Sequence, residues 1–365
     1  MLLAFQFHVS YSSYSGNILP LAIFATSLLF VLAGYAFMRA IYYIFPVSPP
    51  HSYAYSIDLD KLNRMNLVLA FAALSIMVYN CATNGLPPVF GFLGFDTKIY
   101  AEYGRFKQIL FPVLAALFVN SLLDPSKTKK TVFFLFATFG MIFYVARGPM
   151  MQMLFEALIV FSVRTSRKKR YIYLSAAFVL VIAASLMTFL GNSRTGKEFF
   201  FLGMQIDLSY WNWPMGFLWI VSYISVPLSN LCWIIHYFRF DHVTLSSLGD
   251  LLPSFWKPEA THASFVANHS EIVDGVHTYL ASYFMDFSYL GLLFPNFLIG
   301  MGCGYVLQAN RIGRKFLTSS IFVACIAFLF FFDMFIYLPT IVQLCIQAFA
   351  QRYFLHDLPL GSGSE

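Results

Sequence analysis

The sequence predicts an all-α, polytopic integral membrane protein, and three observations carry that prediction. Hydrophobic residues make up 59% of the chain and charged residues only 11%, with a mean hydropathy of +0.69, whereas a soluble domain carries about 25% charged residues. Apolar windows long enough to cross a bilayer recur along the whole chain. The basic residues gather in short loops between those windows, so the net charge of +6 is a topological signal rather than the footprint of a nucleic-acid partner. The 43 Phe and 22 Tyr suit extensive contact with lipid and with the membrane interface.

The windows cover 19–37, 65–84, 106–123, 131–146, 149–163, 171–190, 287–308 and 317–337. A crossing helix needs ~20 residues, or about 17 at the short end. The 131–146 and 149–163 windows therefore cross only if they extend into a polar interface. A further apolar stretch at 340–349 predicts a short or re-entrant helix. Together these make residues 1–360 one transmembrane domain of about 8–11 helices, with the Gly-Ser-Gly-Ser-Glu tail at 361–365 as an appended linker. The N-terminus lacks the basic region of a cleavable signal peptide. Cys81, Cys232, Cys303, Cys325 and Cys345 are scattered through apolar segments without metal or redox spacing, and read as small core residues.

Charge sets the orientation. Four loops hold Arg39/Lys61/Arg64, Lys127/Lys129/Lys130, Arg164/Arg167/Lys168/Lys169/Arg170 and Arg311/Arg314/Lys315, fourteen basic residues in all. Assigning them to the cytoplasm leaves eight on the other face, Lys98, Arg105, Lys107, Arg147, Arg194, Lys197, Arg239 and Lys257, with Arg352 standing apart near the C-terminus. The first six windows then alternate correctly. Arg147, in Ala146-Arg147-Gly148-Pro149, falls at the outer tip of a helical hairpin. Arg194 falls just beyond the outer end of the next helix.

The segment 216–238 is apolar enough to cross, but a crossing there puts the following helix in the wrong orientation. Pro227 at its middle predicts a break, and Trp211, Trp213, Trp219 and Trp233 suit an interface. It therefore reads as a re-entrant or in-plane element bordering an outer cavity. The rival reading lets it cross and adds a second crossing before residue 287.

A polar loop follows at about 239–286 and holds His242, His262, His269 and His277, with Asp241, Asp250, Glu259, Glu271, Asp274 and Asp286. A loop of this length is usually functional or disordered. Its histidines lack zinc-ligand spacing, so no metal and no cofactor is expected. One of them could serve as acid, base or hydroxyl orienter. Among single residues, Glu156 lies mid-window and invites pairing with an Arg. Asp333 either reaches the interface or lines the cavity. Asp286 reads as a helix-opening residue, for which an N-cap is a sufficient role. Arg105 and Lys107 either snorkel to the interface or bind a ligand.

A cation beside hydrocarbon costs about 2.5–3.5 kcal/mol on insertion scales, so Arg147 and Arg194 are expected to face a polar cavity or an anion. Arginine gives bidentate bonds to phosphate and stays charged. A lipid diphosphate supplies that headgroup with an apolar tail. If the diphosphate leaves during a displacement, Arg147 and Arg194 would stabilise the developing charge without a metal. An acceptor hydroxyl would need a base, and Asp286 and His277 are the candidates nearest the outer mouth.

The hairpin 143–154 (FYVARGPMMQML) resembles the Arg-Gly hairpin of bacterial oligosaccharide repeat-unit polymerases, the Wzy family of O-antigen polymerases. The stretch 275–291 (GVHTYLASYFMDFSYLG), followed by Leu298-Ile299-Gly300-Met301-Gly302, is similar to that family's late Thr, Tyr, Asp-Phe-Gly and Gly pattern. It departs at Ser288, where the family often has Gly. Arg105 before an apolar helix also fits. The layout matches over most of the chain, the motifs over about three short stretches.

The resemblance implies a GT-C-like, metal-independent glycosyltransferase of the bacterial inner membrane with its active site facing the periplasm. It would transfer a growing glycan from polyprenyl diphosphate onto a fresh lipid-linked repeat, alongside a chain-length-regulating co-polymerase. Arg147, Arg194 and Arg105 would hold the diphosphate, and Asp286 or His277 would be the catalytic base. Lys197, Tyr283, Thr278 and His262 would support them. The related O-antigen ligases share this design. Outside it stand a lipid-linked oligosaccharide flippase or transporter, which would favour charges along a path to both faces and internal repeats, and a non-catalytic membrane scaffold.

Overall fold

The computed structural model describes residues 19–44, 54–97, 106–164, 181, 185, 188, 213–241, 243, 245, 247, 251, 279–309, 315–329 and 334–358. Those residues are mostly helical. Three helical stretches, Ala25–Ile44, Leu59–Asn84 and Tyr289–Val306, are long and apolar enough to cross a membrane, as an all-α membrane protein requires. Lys107–Ser121, Gly148–Ser162 and Phe316–Phe328 are shorter apolar helices. The contacts gather into two compact units, one of residues 1–46, 184–307 and 325–337, the other of 47–183, 308–324 and 338–365.

In the first unit, α1 (Leu19–Ile44) runs past the window that the sequence predicts. α6 (Met215–Tyr237) corrects an expectation: it continues through Pro227 without a break. A buried proline is tolerated in a membrane helix where neighbouring groups satisfy the carbonyl it frees. At 23 residues the helix is roughly 34 Å long, which matches the rival reading's crossing in length. α7 (Tyr279–Phe287) is a second correction. The polar loop expected through residue 286 ends in this short amphipathic helix, whose Leu280, Ala281, Phe284 and Met285 pack on Ile23, Leu231, Ile234 and Leu292. α8 (Tyr289–Ala309) follows after one residue.

α1 and α8 meet backbone to backbone. A Cβ on Gly34 would strike the Phe297 carbonyl, one on Gly300 the Val31 carbonyl, and one on Gly304 would come within 2.8 Å of Met38 Cβ. Small residues at this spacing allow close helix approach where lipid removes the hydrophobic drive. Ser27 Oγ donates to the Leu292 carbonyl at 3.5 Å along the same crossing.

The second unit is built around α3 (Lys107–Ser121), buried from Leu110 to Ser121. Around it stand α2 (Leu59–Asn84), α4 (Lys127–Phe143), α5 (Arg147–Arg164) and α10 (Leu338–Phe354). α4 starts four residues ahead of its window and draws the predicted cytoplasmic lysines into its first turn. α10 is also longer than the short helix expected at 340–349. α9 (Phe316–Phe328) stops well before residue 337, the end of its window. The window 171–190 lies mostly outside the described residues.

α2 and α10 bury polar side chains and leave an apolar face exposed. On α10, Thr340, Gln343, Gln347 and Gln351 are buried while Ile341 and Phe349 are exposed. On α2, Asn66 and Asn80 are buried, while Leu67, Val68, Phe71, Leu74 and Val78 are exposed, Phe71 by 72%. Water would penalise so large an exposed apolar face. A hydrocarbon solvent would not, which agrees with the composition.

A two-stranded ribbon, unforeseen by the all-α reading, closes this unit. β1 (Ala54–Ile57) pairs antiparallel with β2 (Leu355–Leu358), Ile57 opposite Leu355, and the Asp58 N–H continues the ladder to the Phe354 carbonyl at 2.9 Å. Alternation is hard to read over four residues, so such short strands escape periodicity.

Asp58 caps α2 by accepting from the Lys61 N–H at 3.1 Å. Its carboxylate also lies 3.3 Å from Lys61 Nζ. The backbone bond from Lys61 holds the Asp58 carboxyl below its ordinary value. Its contribution is therefore complete above about pH 4 and is lost as pH falls through the lowered folded-state value. Asp58→Asn is expected to flatten that acid limb of the thermal stability profile. An identical limb in wild type and variant would remove the cap from the account.

Candidate functional site

The hairpin that carries Arg147 is held by its turn. α4 ends at Phe143, and Tyr144-Val145-Ala146 turn the chain into α5, whose first residue is Arg147. Val145 has φ of +52°, a left-handed conformation that costs a β-branched residue about 1–2 kcal/mol. Packing enforces it: Tyr144, Val145 and Ala146 are all buried. Asn80 Nδ2 donates to the Tyr144 hydroxyl at 2.8 Å, and the Tyr144 ring meets Phe111 edge-on at 5.8 Å. The Val145 N–H returns to the Ile142 carbonyl at 2.9 Å and the Ala146 N–H to Met141 at 3.2 Å. Among the described residues, a Cβ added at Gly148 would meet nothing within 4 Å, so they leave room beside the first turn of α5. The N–H groups of a first helical turn favour anions. Of Arg147 itself the backbone alone is described.

The second motif centres on Asp286, and the structure corrects its role. Asp286 does not open a helix; it lies one residue before the end of α7 and is fully buried. Its Oδ2 accepts from the Ser247 N–H at 2.9 Å and from the Ser247 hydroxyl. A residue of the preceding loop is thus pinned to α7, and Ser247 was not singled out by the sequence. Tyr283, one turn earlier, is buried as well.

After Asp286 the chain turns sharply. Ser288 has φ of +56°, its N–H reaches the Phe284 carbonyl at 2.7 Å, and Gly291 returns to Ser288 at 3.0 Å. A Cβ on Gly291 would strike the Tyr283 carbonyl. Among the described residues, Val145 and Ser288 are the two non-glycine residues with positive φ. One precedes Arg147 by two positions and the other follows Asp286 by two. Strained backbone of this kind collects at functional sites.

A third polar group was half foreseen. Glu156, expected to invite an Arg, is fully buried and instead accepts from Gln152 Nε2 at 2.9 Å and from Gln343 Nε2 at 2.5 Å. Gln152 Nε2 also donates to Gln343 Oε1 at 2.9 Å. The run Gln343, Gln347, Gln351 in an apolar window was the readable signal for this polar helix face. In the first unit, the Tyr279 hydroxyl donates to buried Asn296 Oδ1, and Asn296 Nδ2 donates to the Leu292 carbonyl at 2.6 Å; neither residue was singled out in advance.

Arg194, Arg105, Lys197, His277, Thr278, His262 and Asp333 lie outside the described residues. Lys107 begins α3 and is half-buried. Among the described residues no group of three or more His, Cys, Asp or Glu gathers at metal-binding distance. Comparison with family models, with curated proteins and with solved structures finds no match for this chain.

Proposed function

We propose that this chain is a GT-C-like polysaccharide polymerase of the bacterial inner membrane. It joins polyprenyl-diphosphate-linked oligosaccharide repeats at the periplasmic face. The observation that carries the reading is the α4–α5 turn, where a buried, left-handed Val145 sets Arg147 at the start of a helix with open space beside Gly148. The left-handed Ser288 adds to it. Glycine adopts that conformation freely, and glycine is what the resembled motif carries there.

In the proposed step the acceptor hydroxyl attacks the anomeric carbon of the donor and the bond to the diphosphate oxygen breaks. The electron pair leaves with the diphosphate, and the hydroxyl proton passes to a base. Arg147, with Arg194 and Arg105, binds the diphosphate and stabilises the charge it gains. The base is His277 or Asp286, and Asp286 is oriented by Ser247. Fixed cations supply the charge stabilisation, so the step needs no metal. A co-polymerase that sets chain length is the expected protein partner.

The buried polar face of α10 favours one other reading, transport of the lipid-linked oligosaccharide. Glycan profiling of cells lacking the protein separates the two. A polymerase leaves single repeats on the surface in place of a ladder, and the wild-type gene restores the ladder. Absence of any surface repeat, with lipid-linked units accumulating inside, replaces polymerisation with transport.

A further inference from the structure

We propose that Glu156, Gln152, Gln343 and Thr340 of the second unit form a binding site for a single alkali-metal cation. The argument starts from charge. Glu156 is fully buried, and among the described residues its carboxyl oxygens are met by two neutral amides and by no cation. Amide N–H groups orient a carboxylate but leave its charge uncancelled.

The surrounding donors suit a hard monovalent ion. Gln152 stands one turn before Glu156 on α5. Thr340 stands one turn before Gln343 on α10, and its Oγ1 is buried with no hydrogen-bond partner among the described residues. A half-turn of a glutamine carboxamide exchanges its N–H₂ for its oxygen at little torsional cost. The two amides that now donate to Glu156 can therefore present oxygens to an ion that the carboxylate also binds. One carboxylate and three neutral oxygens balance one positive charge. A divalent ion would leave a net charge buried, and soft ligands for a transition metal are missing from this set.

Further buried polar groups stand on α10 and on α2. Both amide atoms of Gln347, one turn beyond Gln343, and of Asn66 on α2 are buried without partners. The Asp58–Phe354 bond puts the start of α2 level with the end of α10. At about 1.5 Å per residue, Asn66 and Gln347 then both stand roughly 10–12 Å above that level. Buried amides without partners mark places where water or an ion completes the bonding.

The test is thermal unfolding of the full chain in lipid nanodiscs, in sodium, potassium or choline chloride at equal ionic strength. One of the alkali ions is expected to raise Tm by about 4 °C or more, with saturation. Glu156→Gln, which keeps shape and removes charge, should abolish the rise. Thr340→Val should raise the half-saturating concentration about tenfold or more, and it serves as the test if the Glu156 variant does not fold. Equal Tm in all three salts overturns the site and leaves a proton as the counter-charge. A rise that persists in Glu156→Gln, or a half-saturating concentration unmoved in Thr340→Val, overturns it as well.

Discussion

Arg147→Ala is expected to abolish glycan chain extension while the protein still inserts and folds. Arg147 is the first residue of α5, outside the buried turn formed by Tyr144, Val145 and Ala146. Alanine is the best helix former, so the substitution costs the hairpin little. What it removes is a fixed cation at the proposed diphosphate, and losing one such contact costs on the order of 10²–10³ in rate. Arg147→Lys should recover only part of the activity, because an ammonium cannot make the paired bonds of a guanidinium. The measurement is a glycan ladder from complemented cells, normalised to membrane-inserted protein. A full-length ladder from the alanine variant would take Arg147 out of the mechanism.

Gly300→Leu is expected to be strongly damaging to the first unit. The new Cβ would overlap the Val31 carbonyl, a backbone atom that cannot rotate away. α1 and α8 must then separate, which breaks the Ser27–Leu292 bond and loosens the cluster that holds Ile23 and Leu292. Overpacking of this kind costs about 3 kcal/mol or more, a fall in Tm of roughly 10 °C for a unit of this size. Leu298→Ala is the control, since Leu298 on the same helix is exposed and should shift Tm little. A Gly300→Leu protein that melts with wild type would mean the two helices do not meet as described.

The helices were legible wherever a long apolar run stood between charged loops, as at α1, α2 and α8. The ends were less so. α4 reaches back over Lys127, Lys129 and Lys130 because long basic side chains can lie along a helix and still keep their charge in water. Pro227 reads as a helix-breaker, but α6 runs through it because tertiary packing outweighs the local preference. α7 was not legible, since nine residues of mixed polarity show their period only once a partner surface is known.

Of the candidate site, the Arg147 hairpin could be recognised because a cation in an apolar run is rare. Asp286 was recognised as singular, but its partner Ser247 was not. A serine 39 residues away in a polar loop carries no local signal. Glu156 was noticed for its charge, but its amide partners were concealed by the neutrality of glutamine and by the 187 residues that separate it from Gln343.

The ribbon between β1 and β2 sets a condition on how this protein can be made. Its strands are far apart along the sequence, Ile57 opposite Leu355, and α10 just before β2 carries Gln343, which meets Glu156. Until α10 is synthesised, α2, α3 and α5 must wait in the bilayer without it, and Glu156 lacks Gln343. During that interval the polar groups are exposed to lipid or to whatever insertion factor shields them. A ribosome stalled before Leu338 would leave an intermediate in which Glu156 keeps Gln152 but lacks Gln343.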